Sequence, residues 1–591
     1  MPSPAPLPQH QTPLPPAGVR PAGSRWTYAF LIDIGVFVSV FAVVYGVYSI
    51  GHSWLGPVRV EAEISQDPRS LPLYAMYSLT RILVAYALSL AFALAYGYIA
   101  AKSRRAEMVL IPLLDILQSI PVLSFLPGVM LAMVALFPSR QLGVELGSIV
   151  LIFTGQVWNI AFSFYSSLKT IPRDLREAAI IYRFSGWQRF TELDLPFSTI
   201  GLVWNSMMSV AGGWFFLMAC EMFVLGDKDF RLPGLGSYLQ TAAGHGNTRA
   251  MLWGLAAMVA VIVLMDQLIW RPVITWADKF KFEQVESASG TQNTILNFIR
   301  KESFLIRFYR RILHPVVEWA TMEFASGARR AAQTIRANRM TRPRPWFGRI
   351  FAGLSMLAVV YAAYRAVGAL MQVPLQEYAE LLRSAGFTFL RVNLALIIGA
   401  LWTVPVGVAI GFSPRFSRLM QPLVQLAASI PATALFPVIL LFLIRLRGGI
   451  EIAAMALMLL GTQWYILFNV IAGAMAIPTD LKEAAQVFKF GSLDRWRYLI
   501  LPGIFPYLVT GLVTASGGAW NASIVAEYFH FQGRIVQAPG LGSAISSASD
   551  AGRFDVLLAS TLIMAVIVVL INRLVWRRMY RLASTRFKLE T

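Results

Sequence analysis

Twelve stretches of about 20 or more mostly apolar residues run through the sequence, more than a soluble fold can bury. They lie at about 27–50, 75–101, 107–136, 143–168, 197–225 and 250–274, then at 347–370, 387–411, 418–444, 449–475, 503–530 and 555–579. Each is long enough to cross a hydrocarbon core as a helix. Composition agrees: 57% of the 591 residues are hydrophobic and only 14% charged, too few to clothe a soluble chain of this length. The expected fold class is an all-α polytopic membrane protein with about 12 transmembrane helices.

Lys and Arg outnumber Asp and Glu by 51 to 31, a net charge of +20. They fall between the apolar runs, so they read as topology signals and not as a nucleic-acid footprint. With Arg20 and Arg25 placed in the cytoplasm, every alternate loop is basic: Lys102/Arg104/Arg105, 169–196, 276–346, Arg415/Arg418 and Arg577/Arg578/Arg581. The opposite loops, including 51–74 with Glu61, Glu63 and Asp67, lack that excess. Both termini are therefore expected on the cytoplasmic side, with the lipid bilayer as solvent and no nucleic acid as partner. Residues 1–26 are Pro-rich, without an apolar core or cleavage site, and read as a disordered tail. The basic stretch 276–346 reads either as a solvated connector or as amphipathic helices on an anionic membrane surface. The lone Cys220 permits neither an intrachain disulfide nor a cysteine metal cluster.

The second half repeats the first. A shift of 310 positions aligns Arg81 with Arg391, Gly97 with Gly407, and SIPVLSFLP at 119 with SIPATALFP at 429. A shift of 306 then aligns Glu145 with Glu451, Trp158 with Trp464, IPRDLREAA with IPTDLKEAA, Glu221 with Glu527, and PGLGS at 233 with PGLGS at 539. Six spans per half is an even number, so the copies at 27–275 and 347–591 enter the membrane in the same sense, as two parallel six-helix repeats with a pathway between them.

The long loop after the fourth and tenth spans is the most informative segment. Leu175, Ala178, Ala179 and Tyr182, and likewise Leu481, Ala484, Ala485 and Phe488, fall at i, i+3, i+4 and i+7, one face of a helix. Pro172 and Pro478 suit a first turn, and Asp174 and Asp480 complement its dipole. A short extramembrane helix is expected in each copy, its small alanines admitting a partner.

Glu177-Ala178-Ala179 followed by Leu195-Pro196, and Glu483-Ala484-Ala485 followed by Leu501-Pro502, resemble the EAA loop of ABC importer permeases. The SIP-to-LP segments and PGLGS tails resemble the nitrate/taurine/sulfonate-type branch, specifically its duplicated, fused members. The likeness covers nearly all the spans but not the tail or the linker. In one departure, the glycine usual six residues after the Glu is replaced by Arg183 and Lys489. The resemblance implies that the two helices couple the chain to two ATP-binding cassette subunits, which carry ATP and Mg while this chain carries no cofactor. It further implies a substrate-binding protein on the opposite face, a bacterial inner-membrane location, and a small anion such as nitrate, a sulfonate, taurine or bicarbonate as cargo. The absence of any Gly-Lys dipeptide, and hence of a P-loop, agrees that the chain is not itself an ATPase.

Candidate pathway residues follow from polar or helix-breaking positions inside the spans. Ser119, Pro121, Ser429 and Pro431 mark either a broken helix beside the pathway or a packing kink. Arg81 and Arg391 either attract an anion or snorkel to headgroups. Glu221 and Glu527 suit a gate or a structural salt bridge. Trp158 and Trp464 either line a cavity or pack, and Glu145 and Glu451 read as helix-start acids. Asp115 and Asp266 read as polar glue between helices, since their repeat partners are Gln425 and Asn572. His52, His245 and His530 have no metal-like spacing, so no metal site or catalytic constellation is expected. A secondary transporter with two parallel six-helix halves is the alternative, and it would need no exposed docking helix.

Overall fold

The computed structural model describes residues 64–280 and 346–586, apart from 139–140, 226–227, 444, 447 and 533. The Pro-rich tail, the expected first span at 27–50, His52, and the linker from 281 to 345 lie outside the described residues. The first half runs as α1 (Leu71–Lys102), α2 (Arg104–Ser119), α3 (Leu126–Leu136), α4 (Leu142–Thr170), α5 (Arg173–Ile181), α6 (Leu195–Glu221), α7 (Leu235–Gly244) and α8 (Thr248–Met265). The second opens on α9 (Trp346–Leu370) and repeats the series as α10 (Leu375–Phe412), α11 (Pro414–Ser429), α12 (Ala432–Leu443), α13 (Gly449–Ala476), α14 (Thr479–Val487), α15 (Leu501–Ala526), α16 (Leu541–Asp550) and α17 (Phe554–Ile571). Among the described residues 8 helices are long and apolar enough to cross a membrane, built on α1, α4, α6, α8, α10, α13, α15 and α17. The chain is thus an all-α polytopic membrane protein, with two small antiparallel hairpins, β1–β2 (Val224–Leu225, Lys228–Asp229) and β3–β4 (Tyr528–Phe531, Arg534–Gln537).

The runs at 107–136 and 418–444 differ from the single spans expected. α2 ends at Ser119 and α3 starts at Leu126, while α11 and α12 meet at 80°. Ile120 and Ile430 are extended, as the ring of a following proline favours, and Pro121 and Pro431 cannot donate the next helical bond. At the start of each broken run a serine turns the chain. Ser103 and Ser413 are extended and accept from the N–H of Ala106 and Phe416 at 3.3 and 3.4 Å, capping α2 and α11. The segments 226–249 and 531–554, which connect apolar runs, are not plain loops: they hold parts of the hairpins together with α7 and α16.

Each break reaches across to the other half. The turn Val122–Phe125 packs on α15, and α12 packs on α6. Leu123 N–H lies 3.4 Å from Asn521 Oδ1. One core runs through both halves, and Trp214 on α6 and Trp520 on α15 are fully buried in it at matching repeat positions. At the end that bears α5, Lys102 closes α1 onto the start of α6 through a 2.7 Å bond to Asp194.

Candidate coupling helices, ion clusters and inter-half cavity

α5 and α14 lie where the motif places them, each entered through a proline N-cap with Asp174 or Asp480 in the first turn. The alanine face differs from expectation. Ala179 and Ala485 are buried and Ala178 and Ala484 half-buried, whereas Glu177, Ile180, Ile181 and Tyr182, and correspondingly Glu483, Gln486, Val487 and Phe488, are exposed. The small residues let the helix lie close on its own bundle, and the outward face is glutamate beside large apolar groups, with Ile181 at 76% and Val487 at 78% exposure. Large apolar groups exposed side by side in this way are suited to an interaction surface.

Both helices end alike. Phe184 N–H donates to Ala179 O and Arg183 N–H to Ile180 O, at 2.9 and 3.0 Å, and Phe490 and Lys489 repeat the pattern on Ala485 and Gln486. This is the Schellman arrangement, whose C′ residue is left-handed. Arg183 and Lys489 have φ of 52° and 53°, so they hold glycine's conformation at the position where glycine is usual.

At the opposite end the repeat-aligned charges converge. Arg81 on α1 is fully buried: Nε and Nη2 donate to the Glu145 carboxylate at 2.6 and 2.8 Å, and Nη1 donates to Glu221 Oε1 at 2.7 Å and to Pro233 O at 2.8 Å. Arg391 on α10 repeats this with Glu451, Glu527 and Pro539 O at 2.6, 2.6 and 2.8 Å. Glu145 and Glu451 are helix-start acids and arginine partners at once. The arginines therefore neither snorkel to headgroups nor stand open to an anion; each ties α1, α4, α6 and α7, or their repeats, at one point.

The PGLGS tail is legible residue by residue in this cluster. The proline carbonyl accepts from the arginine. A Cβ on Gly234 or Gly540 would overlap the Glu221 or Glu527 carboxylate. Gly236 and Gly542 N–H donate to those carboxylates at 2.7 and 2.9 Å, and Ser237 Oγ accepts from Gly234 N–H at 3.1 Å. The sequence reading missed Ser78 and Thr388. Their hydroxyls donate to Glu221 at 2.7 Å and Glu527 at 2.9 Å and accept from Leu235 and Leu541 N–H. The 310 shift superposes these two hydroxyls and was the available signal.

Between the halves, at the same end, lies a cavity of about 440 Å³. Leu123, Leu126 and Pro127, just past the first break, face it together with Phe223 and Phe529; Arg231, His245, His530 and Asp550 supply polar lining. His245 and His530, far apart in sequence, thus share one cavity. Burial, then the Asp550 carboxylate, push the Tyr528 hydroxyl above its usual pKa.

Among the described side chains, the expected pathway residues Pro121, Ser429, Pro431, Trp158, Trp464, Arg81, Arg391, Glu221 and Glu527 are not among those lining this cavity. Trp464 packs edge-on against Trp402 at 6.4 Å, and Trp158 packs against the cluster around Val157 and Phe164. Ser429 Oγ donates to Gln425 O at 2.8 Å. Asp266 pairs with Arg271 at 3.5 Å.

Residues 93–269 and 403–588 each match the family described as binding-protein-dependent transport system inner membrane component. The taurine transport system permease protein TauC of Escherichia coli is 28% identical over 182 residues, 31% of this chain and 62% of that protein. The nitrate import permease protein NrtB of Leptolyngbya laminosa is 27% identical over 185 residues, 31% of this chain and 63% of its own length. The putative aliphatic sulfonates transport permease protein SsuC of Bacillus subtilis is 25% identical over 231 residues, 36% of this chain and 80% of its own. The matches to the taurine and nitrate proteins thus span about six-tenths of those relatives.

Proposed function

The chain belongs to the binding-protein-dependent transport system inner membrane component family, which it contains twice, and from that premise we propose that it is the complete membrane pathway of an ATP-driven importer. It is a multi-pass transport permease and not an enzyme. In the proposed assembly, Glu177, Ala178 and Ala179 on α5 and Glu483, Ala484 and Ala485 on α14 seat two ATP-binding cassette subunits, which hold ATP and Mg. Glutamate and the large apolar groups face the subunit, while the alanines hold the helix to the spans, so that closure of the ATPases moves the bundle. A substrate-binding protein docks at the other end, beside the ion clusters. Both termini lie in the cytoplasm of a bacterium and the spans in its inner membrane, as the basic loops favour. The cargo is a small anion of the kind named for the relatives, such as nitrate, taurine, a sulfonate or bicarbonate. A pathway residue set built on Ser119, Pro121, Ser429 and Pro431 acts through the breaks, which carry each half onto the other.

The observation that carries this reading is the pair of exposed, glutamate-bearing helices at equivalent positions of a duplicated chain. Purification of the tagged chain from native membranes should recover a P-loop ATPase in a ratio of two to one. Glu177→Lys with Glu483→Lys should retain the folded chain but uncouple ATP hydrolysis from uptake. Recovery of the chain alone, with uptake that survives ATP depletion, would instead establish a secondary transporter, and normal coupled uptake in the double variant would remove the coupling assignment.

A further inference from the structure

An aromatic side chain of the second half reaches the first in the middle of the spans. A Cβ placed on Gly212 of α6 would have Tyr465 Oη of α13 at 3.7 Å, and no other described atom outside its own helix backbone within 4 Å. One placed on Gly518 of α15 would lie 3.5 Å from the edge of the same ring. The 306 shift aligns Gly212 with Gly518, so Tyr465 stretches from the glycine of its own half to the equivalent glycine of the other. Its own repeat counterpart is Asn159, too short for the same reach, and the bridge is therefore made from one side.

The faces that meet at Tyr465 differ on its two sides. At 1.5 Å per residue, Ala219 of α6 and Ile524 of α15 lie about 10 Å from Gly212 and Gly518 toward the ion clusters, and both line the inter-half cavity. Toward the end that bears α5 and α14, Asn205 lies two turns along α6 from Gly212 and Asn469 one turn along α13 from Tyr465, each on the same helix face as its reference residue. Both amides are half-buried. Asn205 Nδ2 donates to Ser163 Oγ at 3.0 Å, and Asn469 Nδ2 to Tyr465 O at 2.8 Å. A half-buried amide within a span is costly against lipid and belongs on a wetted gap. The halves close together beside these amides, where Gln425 Nε2 on α11 lies 3.1 Å from Met207 Sδ on α6.

We propose that Tyr465 is the internal bar of the membrane pathway: its ring spans from α15 to α6 and separates the inter-half cavity from an amide-lined vestibule on the side of α5 and α14. That cargo passes this point rests on the permease reading; the barrier itself does not.

The test is thiol labelling of the full chain in sealed proteoliposomes of both orientations. Cys220, which is buried, is replaced by alanine, and Asn205→Cys sets a reporter thiol in the vestibule. The probe is the membrane-impermeant 2-sulfonatoethyl methanethiosulfonate. With Tyr465 in place the thiol should react from the α5 end and stay protected from the ion-cluster end. A bar that is open in roughly 0.1–10% of molecules limits labelling from that end to the same share. Tyr465→Asn, which gives the second half the residue of the first, should therefore speed it about tenfold or more. Tyr465→Val carries the same expectation should the asparagine variant not fold, and Tyr465→Phe, which keeps the ring, should stay as slow as the parent. Equal labelling from the α5 end scores the fold of each variant. Fast labelling from the ion-cluster end with Tyr465 present, no labelling from the α5 end, or folded small-residue variants that stay slow from the ion-cluster end would overturn the assignment. Co-purification of an ATPase is scored on the same preparation. An ATPase with no change in labelling defeats the bar alone, and a barrier that opens as expected without an ATPase defeats only the importer reading.

Discussion

Replacing Arg81 by methionine should be among the most costly single changes in the described structure, and more costly than the same change at Arg391. Arg81 is fully buried and its two carboxylate partners, Glu145 and Glu221, are 3% and 0% exposed in their side chains. Breaking a buried pair from one side costs about 3–5 kcal/mol, because the remaining charge is left uncompensated. Here two carboxylates are stranded, and the Pro233 carbonyl loses a donor worth about 1 kcal/mol. A loss of roughly 4–6 kcal/mol is expected, limited by protonation of one carboxylate. In the second half Glu451 is 43% exposed, so water stabilises it after Arg391 is removed, and the Arg391–Glu451 pair is correspondingly discounted. Glu527 is then the one charge stranded, and the Pro539 carbonyl loses its donor as Pro233 does, which sets the loss at about 3–4 kcal/mol. Arg81→Lys should fall between, since an ammonium cannot reproduce the forked contacts. Unfolding of each purified variant in mixed dodecyl maltoside–SDS micelles, followed by tryptophan fluorescence, measures the difference. Equal losses at the two arginines, or less than about 1 kcal/mol at Arg81, would refute burial as the source of the cluster's weight.

Gly234→Ala and Gly540→Ala each place a methyl group on a buried carboxylate and should cost about 2 kcal/mol or more, read as lower yield and lower midpoint in the same micelle titration. Arg183→Gly and Lys489→Gly relieve a left-handed backbone that costs about 1–2 kcal/mol, less the greater freedom of glycine in the unfolded chain. A net gain of about 0.5–1 kcal/mol per site is expected, and a loss would show that the side chains contribute more than the backbone strain. Gln156 is fully buried with both amide atoms unpaired, so Gln156→Met, which keeps the volume, should stabilise by about 1 kcal/mol; destabilisation in that titration would mean that the amide finds a partner in the working protein.

The spans and the duplication were legible because apolar length and repeated order are properties of the chain itself. The short helices α5 and α14 were legible through their period, yet the burial of Ala179 and Ala485 reversed the face assigned to the partner. A stripe of small residues marks close approach without saying on which side the close neighbour lies. The breaks were half legible: Pro121 and Pro431 stood out, but an uninterrupted apolar run looks the same whether the chain crosses once or turns within it. The ion clusters were present in the alignment as separate matches, Arg81, Glu145, Glu221 and PGLGS, and only the tertiary packing of four elements brought them to one point. Nothing local in sequence joins Arg231, Gln240, His530 and Asp550, which meet only where the halves meet.

The contrast between what is repeated and what is not separates two kinds of constraint. The arginine clusters, the serine caps at 103 and 413, and the left-handed helix ends at 183 and 489 occur in both halves, because each half must hold its own helices together. Arg231 and Asp550, among the described residues that line the cavity, each have an uncharged repeat counterpart. In a dimer of identical chains every residue near the axis appears twice, so Arg231 would face a second guanidinium and Asp550 a second carboxylate, and the cavity could hold opposite poles only by duplicating both. Fusion into one chain removes that restriction: a substitution alters one wall and leaves the other. The cavity between the halves is thus a lining that the fused chain can build with Arg231 from one half and Asp550 from the other, at positions where the repeat supplies Gln537 and Gly244.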